Sequence, residues 1–208
     1  MFQASTVEGK FLTVAAGNSF RCIEISRRTF IIESQKFLTI SEGLLVEKIN
    51  REIELRESYA EIFVDAFREE ILNLTGEAAE MKLDFYENRP LKVDGIAIVI
   101  GLTGSPSGRA VVYMSDETLK IFAQKMLRQD EFSEDEANDA AEDAANVFVA
   151  RGAKLLNELA KKNLTLTPPG TICGSAIKIA AHKLITFKIT AALSFGEICM
   201  NIGFAEGD

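Results

Sequence analysis

Two long helical stretches, each followed by an apolar hairpin, constrain this chain more than any other feature. Leu91 to Leu102 and Arg109 to Met114 are strand-forming runs. Between them lies Thr103-Gly104-Ser105-Pro106-Ser107-Gly108, a turn-forming string. Leu184 to Leu193 and Glu197 to Phe204 repeat the arrangement, preceded by a further strand from Ile172 to Ala180. Strands joined by loops this short, with no crossover helix between them, pair antiparallel. The expected fold is α+β: a largely antiparallel sheet of about five to six strands, with long helices packed on one face, in two helix-plus-hairpin halves.

The helical stretches are read from their apolar spacing. Ala60, Phe63, Val64, Phe67, Ile71 and Leu74 form one face, ended by Thr75-Gly76 with glycine in a C-terminal capping position. Ser115 is placed to cap a short helix from Asp116 to Leu127. Ser133 and Glu136 form a capping-box signature that opens the longest helix, to about Lys162. Pro168-Pro169-Gly170 then breaks the chain. Upstream, Leu44, Leu45, Ile49 and Ile53 carry another helical pattern; whether it joins the next helix stays open. Before it, Lys10 to Ala15, Phe20 to Ile25, Thr29 to Glu33 and Lys36 to Ile40 look like short strands, with Gly17-Asn18 as a turn. The chain therefore divides into an N-terminal extension of unassigned role, residues 1–56, and a main domain, residues 57–208.

Composition removes several function classes. The formal net charge is -8, which disfavours duplex nucleic acid and anionic membranes as partners, since phosphate binding needs a basic surface. No apolar run approaches the ~20 residues needed to span a bilayer. The first eight residues show no basic region followed by an apolar core, so no signal peptide is expected and the cytoplasm is the expected compartment. Cys22, Cys173 and Cys199 stand at unrelated spacings, as reduced thiols do. The single histidine, His182, has no cysteine at ligand spacing and falls in a turn, so no metal is expected.

The longest helix carries the polar pattern of interest. Each helical residue advances about 100°, which gathers Ala141, Ala145, Phe148, Gly152, Leu155 and Leu159 into one stripe facing the sheet. Asp139, Asp143 and Asn146 gather on the opposite, solvent side. The same line continues through Ala150, Ala153 and Asn157, where small residues would let another protein approach closely. Periodicity alone favours an ordinary solvated face: acids suit the first half of a helix and alanine has high helix propensity.

The spacing adds something periodicity does not. Asp139, three residues, Asp143, two residues, Asn146, twenty-two residues and Pro169 resembles the motif of the CheX/CheC chemotaxis phosphatases, in which Glu stands where this chain has Asp143. The likeness extends through Asp143 to Lys154, through Pro168 to Gly174, and to the hairpin from Ile100 to Met114. It covers roughly residues 57–208 and leaves out the N-terminal segment.

The resemblance implies an activity: hydrolysis of the aspartyl phosphate on a CheY-like response-regulator receiver domain. Asn146 would orient the attacking water and Asp143 would pair with a receiver lysine, although aspartate reaches less far than glutamate. Asp139, Glu142, Ala150 and Ala153 would contact the partner, with Glu142 a substitute acid, and Pro169 would be structural. No cofactor of its own is implied; Mg²⁺ would sit on the receiver. A homodimer is implied through sheet edges. Asp143 motivates an alternative, a receiver-binding module with weak or absent catalysis; a structural role at the flagellar switch is a third. Glu70 and Asn73 repeat the acid-to-Asn spacing on the earlier helix as a candidate second site.

Overall fold

A computed structural model describes residues 4–7, 11–16, 19–24, 40–86, 90–180 and 183–205, with side chains described from residue 47 onward. The chain forms two compact units, Met1–Lys48 and Ile49–Asp208. The first contains β1 (Ala4–Val7), β2 (Phe11–Ala16) and β3 (Ser19–Glu24), antiparallel and in that order. The expected strands at Thr29 to Glu33 and Lys36 to Ile40 fall almost wholly on residues 25–39, which lie outside the described set; Ile40 itself opens a helix. His182 and the Gly17-Asn18 turn also lie outside the described residues.

Helix α1 runs from Ile40 to Thr75, so the two helical patterns of the sequence are one continuous helix. Tyr59, Ala60, Phe63, Ala66, Phe67 and Ile71 are buried along one face. Gly76 ends the helix with φ +71°, and its N–H donates to the Leu72 carbonyl at 2.9 Å.

The chain continues through β4 (Glu80–Tyr86), β5 (Leu91–Thr103) and β6 (Gly108–Met114) to α2 (Asp116–Leu127) and α3 (Glu134–Ala160). Then follow β7 (Thr165–Leu166), β8 (Gly170–Ile179), β9 (Leu184–Leu193) and β10 (Gly196–Ala205). The strands of the second unit form one seven-stranded antiparallel sheet, ordered β4-β9-β10-β6-β5-β7, with β8 also pairing β5. Two strands beyond those read from the sequence raise the number. β4 alternates charged and apolar residues at an edge of the sheet, and β7 has only two residues.

Alternation decides the two faces of this sheet. Ile96, Ile98 and Ile100 of β5, Val112 of β6, Ile189 of β9 and Ile198, Met200 and Ile202 of β10 share a core with Phe63, Phe67, Phe122 and Phe148 of the three helices. Leu91, Val93, Ala97, Val111 and Ile179 form a smaller cluster apart from it. Helix α3 meets α1 tightly: Phe67 and Phe148 pack edge to face at 4.8 Å, and a methyl group on Gly152 would overlap the Phe63 ring. Glycine at 152 is what lets the two helices come this close.

Candidate functional site on helix α3

The site begins with the start of its helix. The Ser133 hydroxyl accepts from the Glu136 N–H at 3.2 Å, and the Glu136 carboxylate accepts from the Ser133 N–H at 2.7 Å. This reciprocal cap sets the register in which every later residue of α3 points. It also holds the Glu136 carboxyl below its ordinary pKa, chiefly through the Ser133 backbone N–H.

From that start, Asp139, Asp143, Asn146 and Ala150 emerge on the exposed side, as the periodicity requires. Among the described residues, the side chains of Asp139, Asp143 and Asn146 make no hydrogen bond or ion pair within the chain. Their polar atoms are left to solvent or to a partner. Val147, beside Asn146, is 41% exposed and adds an apolar contact surface.

Two flanks confine this exposed line. On one side is the edge strand β8. The Thr171 hydroxyl donates to the Glu142 carboxylate, and the Cys173 thiol lies 3.8 Å from the Asn138 side-chain oxygen. Glu142 is half-buried against that strand. On the other side is α1. Arg151 Nη2 lies 3.1 Å from Glu69 Oε2, and Arg151 Nε lies 3.9 Å from Glu70 Oε1.

The second acid-to-Asn pair sits within that flank. Asn73 Nδ2 donates to Glu70 Oε2 at 3.4 Å, while Glu70 faces Arg151. These two groups are engaged with each other and with α3, unlike Asp143 and Asn146.

Ala153 is not on the exposed line: it is 4% exposed, against expectation. The reason lies past the end of the helix. Lys161 takes a left-handed conformation, φ 51°, and the chain turns back along α3. Asn157 then donates to the Leu164 carbonyl at 3.0 Å and accepts from its N–H at 2.7 Å. Ala153 lies one helical turn before Asn157 and belongs to the same core cluster as Leu156 and Leu164. The buried face rotates with it: Leu156 is fully buried, Leu155 is half-buried and Leu159 is 71% exposed, where Leu155 and Leu159 were expected in the apolar stripe. The small-residue line open to a partner ends at Ala150.

Pro169 is half-buried immediately before β8. Leu102 of β5 pairs with Leu166, and Val99 pairs with Gly170. Between these, the Thr167 N–H donates to the Gly101 carbonyl and the Thr167 hydroxyl accepts from the Gly101 N–H. Pro168 and Pro169 together therefore stand opposite the single residue Ile100. The strand bulges where two residues face one, and prolines, lacking an N–H, fit a place where the ladder lapses.

Three contributors escaped the sequence reading: Thr171, Arg151 and the returning Leu164. Each acts through a partner distant in the chain, and no local signal marks the pairing. Among the described residues no three His, Cys, Asp or Glu side chains converge as a metal cluster, and no helix is long and apolar enough to cross a membrane. Cys173 is exposed and Cys199 buried, both as free thiols.

Residues 96–190 match the family model of the chemotaxis phosphatase CheX. No curated protein sequence matches the chain. Among solved structures, a CheX chemotaxis protein from Desulfovibrio desulfuricans is similar at TM-score 0.65 and 19% identity, over 71% of this chain and 99% of that one. The CheX–CheY–BeF3–Mg²⁺ complex from Borrelia burgdorferi is similar at TM-score 0.60 and 22% identity, over 71% and 98%. FliY from Thermotoga maritima follows at TM-score 0.51 and 14% identity, over 75% and 90%. These likenesses establish a CheX/CheC-like fold.

Proposed function

Since residues 96–190 carry a CheX-family domain within a CheX/CheC-like fold, we propose that this protein dephosphorylates the aspartyl phosphate of a CheY-like response regulator in chemotaxis or two-component signalling. The observation that carries the reading is the exposed Asp139, Asp143, Asn146 line on α3. It stands at the family's spacing from Pro169, inside the matched segment, and has no partner within the chain among the described residues. The Borrelia relative, solved with CheY, BeF3 and Mg²⁺, supports a receiver domain as the partner.

The chemistry asked of the site is modest. Phosphoryl transfer to water is catalysed largely by positioning and charge stabilisation. The water oxygen bonds to phosphorus as the bond to the receiver's aspartyl oxygen breaks; the carboxylate leaves with the electron pair and the water's proton passes to solvent. The Asn146 amide suits the orienting role, because its carbonyl accepts from water while its NH2 donates, without adding charge beside an anionic phosphoryl group. An acid beside it pairs with a receiver cation and fixes the docking. The resemblance gives that task to Asp143, with Asp139 and Ala150 on the same contact surface. The divalent ion, Mg²⁺, belongs to the receiver; this chain brings no cofactor, and the reaction takes place in the cytoplasm.

The test is phosphate release from a phosphorylated receiver mixed with the purified protein. Asn146→Ala should abolish the acceleration; undiminished hydrolysis would refute the assignment. A binding-only reading rests on one observation, aspartate at 143 in place of glutamate. If Asp143→Glu greatly raises a weak hydrolysis, that second reading is favoured.

The proposed homodimer is assigned to the β8 edge. The β4 edge carries Glu80, Lys82 and Asp84, with Lys82 and Asp84 paired at 2.8 Å, and such charges discourage strand addition. From Gly170 to Ile177, β8 has no charged residue; Ile172 is 44% exposed, and β5 is its one strand neighbour among the described residues. A monomeric mass in light scattering at micromolar concentration would overturn this assignment.

A further inference from the structure

We infer that Glu142, positioned by the Thr171 hydroxyl, is the principal carboxylate that takes the cation of a docked receiver, ahead of its neighbour Asp143. The inference rests on the receiver-binding reading above and deepens it.

The register of α3 places both acids beside Asn146. Asp143 is three residues before it and Glu142 four, so each is its surface neighbour, with Cβ atoms about 5–6 Å away. They differ in reach and in restraint. The Glu142 carboxylate stands one methylene, about 1.3 Å along the chain, further from the backbone than that of Asp143. It therefore supplies the length that an aspartate lacks.

Restraint favours the same residue. Glu142 lies half-buried against β8 and accepts a hydrogen bond from Thr171, whereas Asp143 is exposed and engages nothing within the chain among the described residues. A carboxylate already held loses less rotamer freedom when it pairs. It also keeps its capacity: an ionised carboxylate offers about four acceptor sites, and one hydroxyl uses one of them. No lysine or arginine among the described residues forms an ion pair with Glu142, so its charge is not cancelled internally.

Thr171 is then a positioning residue. It reaches α3 from the strand that begins directly after Pro169. The motif's fixed distance from Asn146 to Pro169 acquires a purpose in this chain: it delivers a hydroxyl to the acid beside the catalytic amide.

The experiment uses the full chain and a CheY-type receiver from the same organism, phosphorylated with acetyl phosphate. Phosphate release is followed at varied receiver concentration for Glu142→Gln, Asp143→Asn, Thr171→Val and Thr171→Ser, with circular dichroism confirming folding. Glu142→Gln should raise KM about tenfold, more than Asp143→Asn does, with little change in kcat. Thr171→Val should raise KM several-fold, and Thr171→Ser, which keeps the hydroxyl, should restore it. A larger KM effect from Asp143→Asn, equal effects from the two acids, or an unchanged KM in Thr171→Val would overturn the inference. Asn146→Ala, run in parallel, reports separately on the underlying reading. If it leaves hydrolysis intact, that reading fails, and binding of the beryllofluoride-loaded receiver to the two acid variants still decides which carboxylate carries the contact.

Discussion

Arg151 on α3 holds Glu69 on α1 at 3.1 Å, and it does so five residues beyond Asn146. The exposed line is therefore presented by two helices tied together, not by one helix alone. Both partners are partly solvated, so the pair contributes about 1 kcal/mol or less to stability. A double-mutant cycle of Arg151→Ala and Glu69→Ala in urea should give a coupling of that size, shrinking as salt is added. A coupling of zero at low salt would show that the pair does not tie the helices.

The close approach of the same helices at Gly152 should matter more. Gly152→Ala drives a methyl group into the Phe63 ring. Overpacking of this kind typically costs about 1–3 kcal/mol. Thermal unfolding should show a lower midpoint for Gly152→Ala, partly recovered when Phe63→Leu is added. A midpoint equal to that of the unmodified protein would show that α1 can move away freely.

Ala150 and Ala153 should behave oppositely, although both are small residues on the latter half of the same helix. Ala150 is exposed, so Ala150→Lys should fold normally and weaken receiver binding by blocking close docking. Ala153 is buried in the core cluster that also holds Leu164, so Ala153→Lys should destabilise the fold by about 3 kcal/mol or more. Urea unfolding and receiver pull-down on the two variants separate these outcomes.

At Asn146, charge should matter as much as length. Asn146→Asp keeps the size of the side chain but sets a carboxylate beside the anionic phosphoryl group and removes the NH2 donor. A loss of about 100-fold in kcat is expected, the scale on which misplacing a reactant acts. Single-turnover phosphate release measures it, and retention of more than half the rate would rule out a water-orienting amide.

The capping box gives a pH signature. The Glu136 carboxyl is held below its ordinary pKa, first by the Ser133 backbone N–H and then by the Ser133 hydroxyl. Because its folded-state pKa lies below the unfolded value, its contribution is complete above the unfolded pKa. That contribution disappears as pH falls through the folded pKa. The stability difference between the unmodified protein and Glu136→Gln, from urea midpoints, should therefore be largest near neutral pH and fade as the solution is acidified through the lowered folded-state pKa.

The features legible in the sequence share one property: each is set by residues close together in the chain. Ser115 caps α2, and the helix spans Asp116–Leu127 as its pattern indicated. Ser133 and Glu136 open α3 as a capping box, which is enough to aim Asp139, Asp143, Asn146 and Ala150 in one direction. β9 runs from Leu184 to Leu193, where its apolar run lies. β4 was missed although its charged–apolar alternation is a half-buried strand's pattern; only its pairing with β9 places it in the sheet.

What surrounds the exposed line was decided by contacts between distant residues. Periodicity places Ala153 near the direction of Asn146, but it carries no information about Leu164, which returns to Asn157 and joins Ala153 in the core cluster. Nor does it show that Thr171, twenty-nine residues from Glu142, lies against it, or that Glu69, eighty-two residues from Arg151, completes the other flank. Helical register is a local property of hydrogen bonds four residues apart, so the sequence alone suffices to aim Asn146 outward. Burial and side-chain restraint depend on which strand and which helix pack against α3, and only the tertiary structure decided those.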